Sequence, residues 1–228
     1  MVILQDLHSA FPKSGPVGRF FHDTGSISLD ADTALSVGYV LSTQISDHPT
    51  RVEEQLEPVP RGVLVDDCAA VSVGALNAPR IEMHIGFLVG ATITDIEQII
   101  DCIAAAFPVL RIVTGGEHYG VSNGGQPTAS VAIAVGAPSI RSDALLDTLA
   151  TLNRNGRVVA AGERASMHQS PYEGIMTVAR LRLAQDCTLQ RGQLVLTGSM
   201  HRSVAVAVGD HFRADVMGLG SVCIRCVS

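Results

Sequence analysis

The sequence contains no tryptophan, one lysine and no basic run, and these shortages exclude several protein classes. Aromatic residues make up only 4% of the 228 residues, so valine, alanine, leucine and isoleucine must fill the core. The formal net charge of −6 argues against a nucleic-acid partner or an anionic membrane surface. No apolar stretch approaches the roughly 20 residues of a membrane span, and the N-terminal residues lack the order of a signal peptide. We therefore expect a cytoplasmic protein with no membrane partner.

Lysine and cysteine chemistry are both restricted. Lys13 is the single lysine, so Schiff-base catalysis must use it or be absent. The five cysteines are scattered and odd in number, which is not typical of a disulfide framework. Cys223 and Cys226 spell CxxC, but residues three apart on a strand point to opposite faces and would not chelate one ion. We predict packing cysteines.

Short apolar segments separated by glycine and proline follow one another from Arg61 to the C-terminus. This spacing predicts many short strands, and Asn155-Gly156 predicts a tight hairpin between two of them. Helices are predicted over residues 30–42, 94–107 (with a Thr94/Glu97 capping box) and 172–185. So many strands with few helices indicate an α+β, β-rich fold rather than a doubly wound one.

The segment PRIEMHIGFLVG, residues 79–90, alternates apolar and polar side chains as a strand with one apolar face does. Glu82 and His84 project from the other face and are candidate metal ligands or catalytic groups. A third ligand would come from the next β segment, PVLRIVTGG, where Arg111 stands and would repel a cation. Glu117 is the nearest further carboxylate in sequence. A strand face that holds a Glu–Arg pair is favoured over a metal site.

Other candidate groups lie at strand ends and in loops. Asp66 ends an apolar strand, where it is either a general base or a turn residue. No GxSxG nucleophile motif occurs, and the segment around Ser199 does not fit one. His168 and His201 lie among serine, glycine and proline, which is typical of surface loops. We predict Asp66, His118, His168 and Ser199 as substrate contacts.

Taken in order, the segments from about residue 30 to 227 resemble the 2-keto-4-pentenoate (2-hydroxypentadienoate) hydratase branch of the fumarylacetoacetate hydrolase superfamily, which includes 4-oxalocrotonate decarboxylases. PRIEMHIGFLVG resembles the family strand Pro-Arg-(Val/Ile)-Glu-x-Glu-Ile-Ala-Phe-Val-Leu, and QLVLTGSMHRSVAVAVGDHFRADVMGLGSVCIRCV resembles the family's C-terminal segment. The resemblance implies barrel-like mixed sheets, a small N-terminal lobe and homo-oligomers. We place the lobe at residues 1–60 and a β-rich catalytic-type domain at 61–228.

The family's functional residues carry over in part. The family holds a divalent cation with three carboxylates, and the matching positions here are Glu82, His84 and Arg111. The position of the family's catalytic lysine is occupied by Val40. A positioned acid or base contributes roughly 10²–10⁴-fold, so losing it together with the cation would be severe for ordinary hydration.

These substitutions suggest a hydratase-like lyase or isomerase that needs no metal or other cofactor. Arg111 would stabilise an oxyanion, Glu82 would orient Arg111 and His84 would transfer a proton. The small-molecule substrate would carry a polarised carbonyl or conjugated enol, and the reaction would be isomerisation, decarboxylation, addition or a biosynthetic cyclisation. Two alternatives stay open. One is a non-catalytic partner subunit or ligand-binding protein, and the other is a conventional hydratase that binds Mg²⁺ or Mn²⁺ through Glu82, His84 and Glu117.

Overall fold

Two β-sheets and one α-helix make up the part of the chain that the computed structural model describes, residues 36–45, 52–114, 129–139, 149–162 and 170–228. The larger sheet has eight strands in the order β2-β1-β10-β5-β6-β7-β3, with β11 beside β5, and it curls into a half-barrel. Its strands are β1 (Ser36–Ile45), β2 (Val52–Pro60), β3 (Leu64–Val65), β5 (Arg80–Val89), β6 (Ile103–Thr114), β7 (Ala129–Val135), β10 (Leu194–Leu196) and β11 (Val204–Ala205).

The smaller sheet has five strands in the order β4-β13-β12-β8-β9. These strands are β4 (Ala69–Ser72), β8 (Ala150–Arg154), β9 (Arg157–Gly162), β12 (His211–Val216) and β13 (Gly220–Val227). Parallel and antiparallel pairs occur in both sheets, so the predicted β-rich architecture of barrel-like mixed sheets is confirmed. Among the described residues, no helix is long and apolar enough to cross a membrane.

Strand β5 is buried along both of its faces. Ile81, Met83 and Ile85 pack with residues of the smaller sheet in one apolar cluster. Leu88 packs in a second cluster on the opposite face, with Phe107 of β6 and neighbouring residues of β1, β7 and β10. The predicted strand is therefore confirmed, and the face that carries Glu82 and His84 is buried as well. The alternation of apolar and polar residues within one segment does not show that the rest of the fold covers both faces of the strand.

The helix α1 (Pro171–Leu183) and the hairpin between β8 and β9 confirm two local predictions. Ser170 caps α1, because its hydroxyl accepts a hydrogen bond from the Glu173 amide while the Glu173 carboxylate accepts one from the Ser170 amide. In the hairpin, Asn155 and Gly156 have φ of 52° and 80°, the left-handed conformations that a type I′ turn requires.

Two predicted helices are wrong. The described part of the helix predicted over 30–42 is strand β1, which pairs with β2 on one side and with β10 on the other. Of the helix predicted over 94–107, only a 3₁₀ turn forms at Ile96–Gln98, with Asp95 as its cap in place of Thr94. The chain then enters β6, because the following apolar residues pair with β5 and Pro108 disfavours helix in the residue before it.

The prediction that the cysteines only pack is wrong for two of them. Cys68 and Cys223 form a disulfide, and their Cα atoms lie 4.4 Å apart. The two cysteines are brought together by the parallel pairing of β4 with β13, in which Ala69 lies opposite Ile224. Cys226 is buried and free, and burial raises the pKa of its thiol to about 11. The sequence separation of 155 residues explains why the disulfide was not predicted.

The strands before residue 60 join the larger sheet. β1 pairs with β10, and β10 pairs with β5. The division into a lobe at 1–60 and a domain at 61–228 stays a prediction, since residues 1–35 lie outside the described part of the chain.

Candidate active site

The antiparallel pairing of β5 and β6 places Glu82 directly opposite Arg111. His84 lies on the same face of β5, two residues further along. All three side chains are buried, with 5% of Glu82 and 2% each of His84 and Arg111 exposed. Directly opposite residues of an antiparallel pair lie within contact distance, so the register brings a carboxylate, an imidazole and a guanidinium together. The three residues predicted as catalytic thus form one buried cluster, which we call the Glu82–His84–Arg111 cluster.

The guanidinium of Arg111 donates to three side chains. Its Nη1 donates to Glu82 Oε2 at 3.4 Å, its Nε donates to Ser130 Oγ at 2.8 Å, and its Nη2 donates to Glu57 Oε2. Ser130 belongs to β7, next to β6, whereas Glu57 belongs to β2 at the far end of the sheet order. The curl of the sheet brings β2 back over this face. A buried guanidinium between two carboxylates is compensated in charge, which its burial requires.

Both ring nitrogens of His84 have polar neighbours. Nδ1 lies 2.6 Å from the carbonyl oxygen of Thr197, and Nε2 lies 3.2 Å from Oε2 of Glu82. A carbonyl oxygen only accepts hydrogen bonds, so Nδ1 must carry a proton. Nε2 then faces a carboxylate oxygen, and a proton held between these two atoms joins them. This arrangement orients the imidazole and makes it able to give or take a proton on the Nε2 side.

Residues 197–203 are hydrogen-bonded to the part of β5 that carries Glu82 and His84. The amide of Thr197 donates to the Ile85 carbonyl at 3.0 Å, and the amide of Met200 donates to the Met83 carbonyl at 2.9 Å. At the other end of the segment, Arg80 donates to the hydroxyl of Ser203 at 2.7 Å. We call residues 197–203 the site loop, because they form one wall beside the cluster.

His201 of the site loop lies near the cluster, although the sequence favoured a surface position for it. Only 7% of the residue is exposed. Burial lowers the pKa of its imidazole, the hydrogen bond from its Nδ1 to the Arg202 carbonyl opposes that shift, and the nearby charges of His84 and Glu82 act on it in opposite directions. The segment Ser199-Met200-His201 has the composition of a loop, and no local signal distinguishes a buried loop histidine from an exposed one.

The residues predicted as substrate contacts are distributed differently. Ser199 lies in the site loop and donates to the carbonyl of His201 at 2.8 Å. Asp66 follows β3, which is separated from β6 by one strand in the sheet order. His118 and His168 lie outside the described residues, as does Glu117. All four assignments stay predictions. Sequence reasoning missed Glu57, Ser130 and His201, each brought to the cluster by tertiary structure.

Solved structures of low sequence identity share the fold. A 4-oxalocrotonate decarboxylase from Pseudomonas putida G7, complexed with magnesium and adipate, superposes with a TM-score of 0.71 at 19% identity over 98% of this chain and 94% of its own. A fumarylpyruvate hydrolase from Pseudomonas aeruginosa, in complex with Mn²⁺ and pyruvate, gives a TM-score of 0.64 at 15% identity over 84% of this chain and 90% of its own.

These neighbours overturn the expectation that no cofactor is involved, because magnesium and Mn²⁺ accompany them and point to a divalent metal. The described residues nevertheless do not fit the three-carboxylate cation site that the family resemblance implied. Glu82 and His84 offer two ligand atoms, and the third position holds Arg111, whose guanidinium donates to Glu82. Within the described ranges, three convergent candidate ligands occur only at Asp67, Cys68 and Cys223, where the two cysteines are joined to each other.

The similarity in sequence extends over most of the chain. The 2-keto-4-pentenoate hydratase of Paraburkholderia xenovorans (strain LB400) is 26% identical over 215 residues, which cover 86% of this chain and 79% of the hydratase. The family model described as fumarylacetoacetate (FAA) hydrolase C-terminal matches residues 59–227. The relatives and structural neighbours are named for hydratase, decarboxylase, isomerase and hydrolase activities. The chain belongs to the fumarylacetoacetate hydrolase family.

Proposed function

We propose that the protein catalyses a lyase or isomerase reaction on an anionic 2-oxo acid, or on its conjugated enol, at the Glu82–His84–Arg111 cluster. The observation that carries the proposal is the burial of these three groups together on one face of β5 and β6. Buried ionisable groups in mutual contact are costly, and such clusters are concentrated at functional sites. Relatives named for 2-keto-4-pentenoate and 4-oxalocrotonate suggest the substrate class.

Arg111 would bind the carboxylate or the enolate oxygen of this substrate. A guanidinium presents paired N–H groups that match a carboxylate, and in a site closed to water such a contact is strong. Glu57 is the more exposed of its two carboxylate partners, at 24% against 7% for the side chain of Glu82. A substrate carboxylate would therefore take the place of Glu57, while Glu82 keeps the guanidinium oriented.

His84 would move the proton. In a ketonisation, the π pair of the enol C=C bond takes the proton from Nε2 and forms a C–H bond. The enol hydroxyl returns a proton to Nε2, and its O–H bonding pair becomes the second bond of the carbonyl. Glu82 stabilises the imidazolium form of His84 across the 3.2 Å contact, and the Thr197 carbonyl keeps Nδ1 protonated throughout. Arg111 stabilises the negative charge that develops on oxygen.

The test is a turnover assay on 2-keto-4-pentenoate, 2-oxo-hept-4-ene-1,7-dioate and 4-oxalocrotonate, the compounds for which relatives are named. Each is followed by ultraviolet absorbance after EDTA treatment and again with added Mg²⁺ or Mn²⁺. The informative variant is His84→Asn, because its side-chain amide keeps a donor for the Thr197 carbonyl and removes Nε2. We expect kcat to fall by about 10²-fold or more, the usual contribution of a positioned acid or base.

The matched control is His211→Asn, since His211 is exposed on β12. Its turnover should equal that of the unmodified protein. Equal loss in both variants, or none in His84→Asn, would contradict the role of His84.

A second candidate is a ligand-binding protein without turnover. This candidate is favoured by the hydrogen bonds of Arg111, whose Nε, Nη1 and Nη2 all donate to protein side chains. A guanidinium held by Ser130, Glu82 and Glu57 resembles a structural ion pair. Saturable binding of these acids, with no turnover in any metal condition, would select this candidate.

A further inference from the structure

The imidazole of His201 has one nitrogen that is hydrogen-bonded and one that has no partner among the described residues. Nδ1 lies 2.6 Å from the carbonyl oxygen of Arg202 and must therefore donate to it. Nε2 is buried and makes no hydrogen bond to any residue that the structure describes. With the proton on Nδ1, the neutral ring presents a lone pair at Nε2. A buried polar atom left unpaired costs free energy, and such atoms in native proteins call for an explanation.

The path of the site loop explains why His201 lies beside the cluster. β10 ends with Leu196 opposite Gly86, and β11 begins with Val204 opposite Ile81. Between these pairs, residues 197–203 pass residues 82–85 of β5 without forming a ladder. Met200 is buried in the apolar cluster that contains Met83, and the next residue, His201, is close enough to Glu82 and His84 for their charges to affect its pKa.

The surroundings determine what Nε2 can bind. Burial lowers the pKa of His201, so the ring stays neutral at neutral pH and Nε2 acts as an acceptor. The charged groups that act on it belong to the cluster: His84 and Glu82. A ligand bound there would supply the missing donor if it carries a hydroxyl. A carbonyl oxygen in the same place would face the lone pair and repel it.

We propose that His201 Nε2 accepts a hydrogen bond from a hydroxyl of the ligand at the Glu82–His84–Arg111 cluster, so that the site selects the 2-hydroxy form of an acid over its 2-oxo form. The inference rests on the proposed function, because it requires an anionic acid at the cluster. His201 would thereby distinguish ligands by the oxidation and tautomeric state of the carbon next to the carboxylate.

The experiment compares two non-reacting acids of equal length, 2-hydroxypentanoate and 2-oxopentanoate, by isothermal titration calorimetry on the full chain, with and without Mg²⁺. We expect the hydroxy acid to bind about fivefold more tightly, as one neutral hydrogen bond allows. In His201→Phe the two acids should bind equally. His201→Gln restores a carbonyl acceptor and should recover part of the preference. The control His211→Phe changes an exposed histidine and should keep the full preference.

The outcomes separate the two proposals. Equal binding of both acids to the unmodified protein, or an unchanged preference in His201→Phe, overturns the role of His201 and leaves the proposed function standing. Binding of neither acid overturns both. A measurement on the unmodified protein guards against a variant that does not fold: the ¹⁵N resonance of His201 Nε2 should move on addition of 2-hydroxypentanoate and stay in place with 2-oxopentanoate. The opposite pattern would refute the proposal.

Discussion

Two carboxylates, one next to the smaller sheet and one within the larger sheet, are buried to the same extent but have different partners. Asp210 precedes β12 of the smaller sheet and Glu82 lies within the larger one, and each is 5% exposed. Asp210 accepts hydrogen bonds from the backbone amide of Ala207, from Asn155 and from Arg154, whose side chain is 36% exposed. Glu82 instead faces the imidazole of His84 and the guanidinium of Arg111, which are each 2% exposed.

The difference distinguishes Asp210, which we interpret as structural, from Glu82, which is the candidate functional carboxylate. The partners of Asp210 are a backbone amide of the turn between β11 and β12 and two side chains at the β8–β9 hairpin, so they connect that turn to the hairpin. The partners of Glu82 are themselves ionisable and deeply buried, and they share a single oxygen atom of its carboxylate. Such an arrangement does little for a turn or a ladder, and its desolvation cost is high. Burial of the carboxylate alone therefore does not single out Glu82, whereas its contact with two ionisable groups that are each 2% exposed does.

The largest effect on stability is expected when the arginine that pairs with Glu82 is replaced, and the arginine that pairs with Asp210 provides the comparison. Arg111→Met leaves Glu82 and Glu57 as uncompensated buried charges and should lower the free energy of unfolding by about 3–5 kcal/mol. Arg154→Met should cost about 1 kcal/mol or less, because Asp210 keeps Asn155 and the Ala207 amide. Urea unfolding of both variants measures the difference. Equal losses would mean that the two carboxylates play the same structural role.

A smaller effect on stability is expected from removing the Cys68–Cys223 disulfide, which links β13 of the smaller sheet to the residue before β4. Its closure of a loop of more than 150 residues should stabilise the protein by about 2–4 kcal/mol. Cys68→Ser should remove that stabilisation while leaving the turnover that we propose for the Glu82–His84–Arg111 cluster unchanged. Cys187→Ser is the control, since Cys187 is free. Thiol titration in denaturant should find three free thiols in the unmodified protein, and a value of five would show that the bond is absent.

The sequence predicts local features of both sheets well. Alternation in PRIEMHIGFLVG predicts β5, and pairing that segment with PVLRIVTGG predicts the contact between Glu82 and Arg111, which the register confirms. The Ser170 cap and the Asn155-Gly156 turn are also encoded by neighbouring residues. In each case the interacting groups are close in sequence or lie on consecutive strands.

The features that sequence analysis misses depend on contacts between distant segments. Residues 36–42 have helical spacing, yet β2 and β10 pair with both edges and impose a strand. Glu57 reaches Arg111 only because the sheet curls, and Cys68 reaches Cys223 only through a parallel pair. The burial of His201 likewise follows from the anchoring of the site loop to β5.

The smallest effect expected is a change in how stability depends on pH, and it separates His201 from an exposed histidine. Burial lowers the pKa of His201 below its usual 6.5, so between these two values the unfolded chain binds a proton that the folded chain does not. Stability should therefore fall as pH drops below about 6.5, with a slope of at most ~1.4 kcal/mol per pH unit from this residue. His201→Gln should flatten the dependence over that range, and His211→Gln is the control because it replaces an exposed histidine. Urea unfolding at pH 7.5, 6.5 and 5.5 measures both slopes. A slope that His201→Gln does not alter would show that this imidazole is protonated equally in the folded and unfolded chain, which would contradict the lowered pKa of His201.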